Sequence, residues 1–325
     1  MKDKSMKQFS GVYFAKKYGT ALFSLLIFIA FSFLANNFFS VSNILIMLRQ
    51  ISMLTIVALG FTFVMGAGGF DMSLGNTAGL VNILFGIVVV GTHNLPLAIL
   101  VGLLIGLAVG AVNGTLVAVL GLPDFIATFA VGSIAYGIKM LITKGNPLTM
   151  PASAVPAFTF FIGQGRIAGI PFPVILMAVT IAIVTFVLSK TQLGRRIYAI
   201  GGNKLASQYA GINVKKYRFI TFLLSGLFVA FASIILTSRL GSAQPLAGED
   251  FMLDTIAAAF LSTTMFGEGE PTALGTFIGA FIIGMLTNGL TMLSVEYYFQ
   301  YITKGLVVIL SVLTSVYLGG KLKKR

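Results

Sequence analysis

Cysteine is absent from the 325 residues, and histidine occurs once, as His93. Without thiolates the chain can build no disulfide framework, thiolate zinc site or iron–sulfur cluster. The lone histidine falls in a predicted surface turn, THNLP at 92–96, which leaves no histidine-rich metal site and no histidine–carboxylate pair for hydrolysis. No G-x-x-x-x-G-K-[ST] phosphate loop occurs. If ATP powers this protein, another chain binds it, and no cofactor or covalent chemistry is expected here. Charge is scarce as well. Charged residues make up 10% of the sequence, against about 25% in soluble domains, so the chain could not cover a water-facing surface.

What fills the sequence instead is apolar: 57% of positions are hydrophobic and the mean hydropathy is +0.98. The apolar stretches are long and unbroken, which favours helices over a lipid-facing barrel, whose strands would alternate. The expectation is an all-α polytopic membrane protein with about ten spans, at 19–39, 51–67, 73–91, 96–119, 124–143, 171–189, 218–237, 253–267, 272–293 and 301–319. The first run is too long for a removed signal peptide and lacks its small-residue cleavage pattern, so it reads as a retained span. Net charge is +13, yet the basic residues gather at 1–17, 190–218 and 321–325 rather than on a water-exposed face. That is topology signalling, not phosphate binding, and no nucleic-acid partner is expected. An even number of spans puts all three segments, and both termini, in the cytoplasm. The chain then divides into a cytoplasmic segment at 1–18, a transmembrane domain at 19–319 and a basic tail at 320–325.

The loop at about 190–217 is far longer than a connector needs. Within it Lys204 to Ala210 can form a short helix, with Asn203 as N-cap and Gly211 as its stop. A topology-setting loop and a docking element for a cytoplasmic partner are both open. An echo at an offset of 200 pairs the stretch starting at Thr55 with that starting at Thr255, including Gly69/Gly269, Gly75/Gly275 and Gly79/Gly279, as transporter repeats do. Glycines at 102, 106, 110 and 114, and at 275 and 279, form stripes that let helices approach closely. In GGFDMSLG at 68–75, Asp71 and Ser73 suit either a helix cap or a gating contact, near a turn that water can reach. The turn GEGEP at 267–271, with Glu268 and Glu270, reads likewise. Asn113, Thr128 and Asn288, with Ser133, Tyr136, Thr287 and Thr291, are candidates for interhelical bonding or for a polar path. Arg49, Lys139 and Lys304 sit near span ends, where they can snorkel to the interface.

Four segments, GGFDMSLG at 68–75, PDFIATFAVGSIAYGIKMLITKGNP at 123–147, TQLGRRIYAIGGNKLASQYAGINVKKY at 191–217 and SRLGSAQPLAGEDFMLDTIAA at 238–258, occur in the order found in a known family. The chain resembles the membrane subunit of bacterial ATP-binding-cassette importers for simple sugars, the ribose-type permeases. The resemblance implies a non-catalytic permease in the bacterial cytoplasmic membrane, working by alternating access as a homodimer or heterodimer. It also implies cytoplasmic ATP-binding-cassette ATPases and an extracytoplasmic solute-binding protein, with lipid around the spans. Carried over, Asn203, Ala206, Gly211 and Ile212 would be the ATPase-coupling core, and 242–250 would lie outside, where the binding protein could touch it. The sequence departs from the family at 260–275, with Ser262, Thr263, Glu268 and Glu270 where glycine or basic residues are usual, and at Leu205. The alternative is an ion- or proton-coupled secondary transporter, which would want a carboxylate relay in the bundle core, and the spans offer few candidates for one. An intramembrane enzyme would need a paired acid and base that this composition does not supply.

Overall fold

The computed structural model describes residues 25–153, 155–265 and 269–322. The N-terminal lysines, the start of the expected first span, Glu268 and residues 323–325 lie outside the described residues. The described chain is helical: α1 Leu25–Leu34, α2 Val41–Gly66, α3 Leu74–Thr92, α4 Leu95–Gly114 with a π-helical turn Thr115–Val119, α5 Asp124–Thr143, α6 Ala157–Gln164, α7 Phe172–Lys190, α8 Gln192–Gly202, α9 Lys204–Tyr209, α10 Val214–Leu240, α11 Phe251–Thr264, α12 Ala273–Met292 and α13 Tyr297–Leu322. Two small antiparallel ladders join β1 Leu148–Thr149 to β4 Ser242–Ala243, and β2 Arg166–Ile167 to β3 Ile170–Pro171. Among the described residues seven helices are long and apolar enough to cross a membrane: α2, α3, α4 with its π-helical turn, α5, α7, α10 and α12.

α2 is the central helix. It is apolar around its whole circumference, as a helix surrounded by others must be, and it contributes to all three apolar clusters. Phe61 packs with Phe85, Phe222 and Ile235; Met47 and Ile51 with Phe31 and Ile282; Leu59 and Phe63 with Val184, Leu188 and Ile197. It starts ten residues before the expected span because Ser40 caps it, its side chain accepting from Asn43 N at 3.2 Å. The expected first span runs on to residue 39, whereas α1 ends at Leu34 and a turn with Asn37 at positive φ follows.

Lipid gives helices no hydrophobic reason to associate, so close contact falls to small residues. The stripe on α4 meets α10: a Cβ on Gly106 would run into the Gly226 carbonyl, and one on Gly110 into that of Phe222. Gly275 and Gly279 let α12 approach α11 at Ser262 and Ala258 in the same way. The stripes are packing surfaces, as their spacing suggested.

Two stretches break the helical pattern inside the bundle, at 67–73 and 241–250. The first climbs along α5: Phe70 N donates to Asp124 Oδ2 (3.1 Å), Met72 N to Thr128 Oγ1 (2.9 Å), and Gly132 packs on the Ser73 backbone. The second descends along α3, with Ala243 on Gly86, Gln244 N donating to Asn82 Oδ1 (2.8 Å), Pro245 on Gly79, Gly248 at φ +88 on Ala78, and Glu249 on Gly75. From Gly86 to Gly75 is a drop of ~16 Å at 1.5 Å per helical residue. The expectation that 242–250 is an outside loop is therefore corrected, because glycines along α3 leave a groove that holds it. The following helix, α11, has 14 residues and a length of ~21 Å, short of a ~30 Å hydrocarbon core.

Replacing Gly106 by Val should destabilise the chain by about 2–3 kcal/mol through overpacking against α10, seen as a lower melting temperature in detergent. Gly91→Ala, where a Cβ meets nothing, should leave the melting temperature near that of the parent. Equal melting temperatures for the two variants would contradict the α4–α10 contact.

Candidate functional site

Three polar regions stand out against the apolar bundle. At one end α8 lies against α2 and α7 through buried Ile197 and Ile200. Its Gly201 touches the Gly66 backbone, and Tyr198 Oη donates to the Pro271 carbonyl at 2.7 Å. Arg196 bonds and stacks on Tyr217, which ties α8 to the start of α10. The short helix α9 follows as its sequence implied: Asn203 caps it, accepting from Ala206 N at 2.9 Å, and Gly211, at φ +80, lets the chain turn away. Asn203 thus spends its side chain on the cap, Ala206 and Gly211 are exposed, and Ile212 is half-buried. Leu205 and Tyr209, one turn apart, are 66% and 89% exposed; the sequence marked Leu205 only as a departure from the family and did not mark Tyr209. A cavity of about 620 Å³ separates α9 from the π-helical turn, with Lys204, Lys215 and Arg218 on its walls.

The second region is a buried network above that end. Arg218 Nη2 donates to Asp124 Oδ2 at 2.6 Å, joining α10 to α5. Asp71 Oδ1 accepts from Ser73 N (2.9 Å) and Ser73 Oγ (2.6 Å), and its Oδ2 accepts from Ser225 Oγ (2.9 Å). Asn113 Nδ2 donates to Ser73 Oγ at 2.8 Å, and Thr128 Oγ1 donates to the Asp124 carbonyl at 2.8 Å while accepting from Met72 N. Four of the residues singled out in sequence, Asp71, Ser73, Asn113 and Thr128, meet here. Asp71 is only 2% exposed, so the water-reached turn expected for it is corrected. Its partner Ser225 stands ~10 Å along α10 from Arg218, inside the bundle, because the extended 67–73 stretch carries it there. Ser73 sits at the N-cap of α3, but its hydroxyl serves Asp71 and makes no cap bond. Asn288 is elsewhere, in a reciprocal pair with Asn43 (3.0 and 3.1 Å) that ties α12 to α2. Asp124, Arg218 and Ser225 were missed; the signal for the first two was a charge of each sign at the predicted ends of their spans.

The third region lies where the descending stretch 241–250 ends. Lys139, fully buried, donates to Glu249 Oε1 and Asn76 Oδ1, both at 3.1 Å, and its ammonium stands 5.0 Å from the centre of the Tyr136 ring. Lys304 donates to Asp254 Oδ2 at 3.0 Å, and Tyr301 Oη to Asp250. Lys139 and Lys304 do not snorkel, since each is sealed in the bundle by a carboxylate. Lys139 is ~22 Å from Asp124 along α5, and Gly79, which its ammonium touches, is ~20 Å from Thr92 along α3. The cluster is therefore inside the bundle, ~20 Å from those two helix ends and ~6 Å along α5 from Thr143. The remaining sequence candidates stay local: Ser133, Thr287 and Thr291 donate to carbonyls one turn back on their own helices, and Ser262 bonds the Thr272 backbone.

A family profile described as "Branched-chain amino acid transport system / permease component" matches residues 43–312, which takes in all three regions. The chain belongs to this permease family. Among curated relatives it is similar to the ribose import permease protein RbsC of Haemophilus influenzae, 42% identical over 92% of this chain and 93% of that protein. It is likewise similar to RbsC of Bacillus subtilis, 40% identical over 94% of both chains. To the D-allose transport system permease protein AlsC of Escherichia coli it is 34% identical over 94% of this chain and 93% of that one. No solved structure matches. The chain is thus a transport permease component, with helices long and apolar enough to cross a membrane.

In this permease Arg218→Ala leaves a largely buried carboxylate at Asp124 without its cation and should cost about 3 kcal/mol. A double-mutant cycle with Asp124→Ala, read from unfolding in detergent, should show the pair cost well below the sum of the singles. Additivity would contradict the coupling.

Proposed function

We propose that this chain is the membrane subunit of an ATP-binding-cassette importer of a simple sugar, in the cytoplasmic membrane of a bacterium. The observation that carries this is the full-length similarity, 34–42% identity over more than nine-tenths of the chain, to permeases whose names specify ribose and D-allose. The proposal includes ten spans with both termini in the cytoplasm, supported by the distribution of basic residues. It includes a second permease subunit, a cytoplasmic ATPase and an extracytoplasmic solute-binding protein.

Alternating access requires that the driving event favour one conformation over the other. The α8–α9 element is proposed as the seat of the ATPase. Asn203 and Gly211 set the two ends of α9, Ala206 lies on its first turn, and Ile212 returns the chain to the bundle. Leu205 and Tyr209 would supply apolar contact to a groove on the ATPase, and the Arg218–Asp124 pair would pass movement of α10 to α5 and to the 67–73 stretch. Asp71, Ser73, Asn113 and Thr128 fit a role in holding that stretch, and Asn288 a role in helix packing.

One observation favours a second reading, an ion- or proton-coupled carrier: the carboxylate–lysine cluster within the bundle is the kind of feature such a carrier uses. The two readings separate in proteoliposomes holding the permease, its ATPase and its binding protein. D-Ribose uptake is expected to require internal ATP and to survive ionophores. Tyr209→Ala is expected to lower uptake at least tenfold with the permease still inserted. Uptake that persists without ATP and collapses with ionophores would establish the carrier instead.

A further inference from the structure

A carboxylate among membrane-spanning helices cannot face hydrocarbon. Glu249 keeps 42% of its side chain exposed beside fully buried Lys139, and Asp250 is exposed next to it. Tyr136 and Tyr301, also exposed, flank the pair, one ring under the Lys139 ammonium and the other bonded to Asp250. An outward-facing polar surface among these helices has to border water or another polar surface. The backbone supports the same conclusion, because non-helical backbone is tolerated at membrane depth only where it is packed in protein or lines an aqueous cavity. The stretch 241–250 does the first along α3 and presents its carboxylates to the other side. In Asp254, just beyond, Oδ1 is sealed from solvent without a hydrogen-bond partner, a spare acceptor in a residue already nine-tenths buried.

We propose that Tyr136, Glu249, Asp250 and Tyr301 form the solute-contacting face of the translocation path, built for an uncharged polyhydroxylated solute. The inference rests on the importer reading above and gives it a site. Carboxylates accept from hydroxyl groups at up to four positions each, and a tyrosine ring offers a flat apolar face with a polar tip; together they suit a ring that carries hydroxyls on its rim and C–H bonds on its face. Lys139 and Lys304 are positioning residues. They hold Glu249 and Asp254 in place and leave three carboxylates against two ammonium groups, so the surface stays net negative and repels a phosphorylated sugar, the more strongly for the low dielectric around it.

The natural absence of cysteine makes the test direct. Single cysteines are placed at Tyr136 and Asp250 and, as lipid-facing controls, at Ile183 and Phe186 of α7, both exposed. The assembled transporter is treated with a cationic, water-borne thiol reagent. Labelling at 136 and 250 is expected to run at least tenfold faster than at 183 and 186. D-Ribose, delivered with the binding protein, is expected to slow labelling at 136 and 250 several-fold, and D-ribose 5-phosphate to have no effect. Labelling no faster than at the controls overturns the site, as does labelling that D-ribose fails to slow or that the phosphate ester slows equally. D-Ribose protection combined with ATP-independent uptake keeps the site and overturns the importer reading, so the two failures are distinct.

Discussion

A bilayer offers no water to an unpaired peptide group, so each break in a helix must be satisfied by the protein itself. This constraint shapes the rest of the molecule. Two stretches of the chain, 67–73 and 241–250, leave helical geometry inside the bundle, and most of the side chains in the polar networks exist to accommodate them. Asp124, Thr128 and Asp71 accept from the amides of Phe70, Met72 and Ser73; Asn82 accepts from Gln244. Glycines 75, 79 and 86 on α3 clear the groove in which the second stretch lies. The same arrangement sets α3 and α11 off from inside the bundle in opposite directions, which places their first turns and the charged cluster together.

The architecture links that cluster to the end of the bundle that carries α8 and α9. α10 passes both, bonded at Arg218 to α5, at Ser225 to Asp71 and at Ser233 to the Ala78 carbonyl. α10 is therefore bonded directly to the 67–73 stretch and, through Ala78, to the helix along which 241–250 lies. Packing stripes of glycine between α4 and α10 keep the backbones of these helices in close contact. In the importer reading the drive enters at one end and the solute is held at the other end of this connection.

Much of the fold was legible because it obeys simple periodicity. Long apolar runs located the seven described helices that are long and apolar enough to cross a membrane, glycines at intervals of four marked the α4–α10 contact, and Asn203 with Gly211 bounded α9. The site was legible only in part. Asp71, Ser73, Asn113 and Thr128 could be picked out as polar groups in apolar surroundings, yet their common network depends on helices distant in sequence. The depth of 241–250 was hidden for a different reason. Polar, proline- and glycine-containing sequence reads as an exposed loop, and only the groove along α3 turns it into a descending segment. Lys139 and Lys304 lie near enough to helix ends to suggest snorkelling; Glu249, the partner of Lys139, sits in that same misread segment, and Asp254, the partner of Lys304, follows it in α11. Leu205 stood out only as a departure from the family and Tyr209 not at all, because an exposed apolar pair is invisible in a chain this hydrophobic.

The descent of 241–250 is the central claim, and one cross-link tests it. Asn76 and Glu249 both reach the Lys139 ammonium, and Asn76 lies ~24 Å from Thr92 along α3. Cysteines at 76 and 249, introduced in a Lys139→Leu background so that no cation is left unpaired, are treated in native membranes with a short bifunctional thiol reagent. An intramolecular link is expected. Its absence, while cysteines at the paired residues Leu148 and Ala243 link efficiently, would mean that the segment stays at the membrane surface.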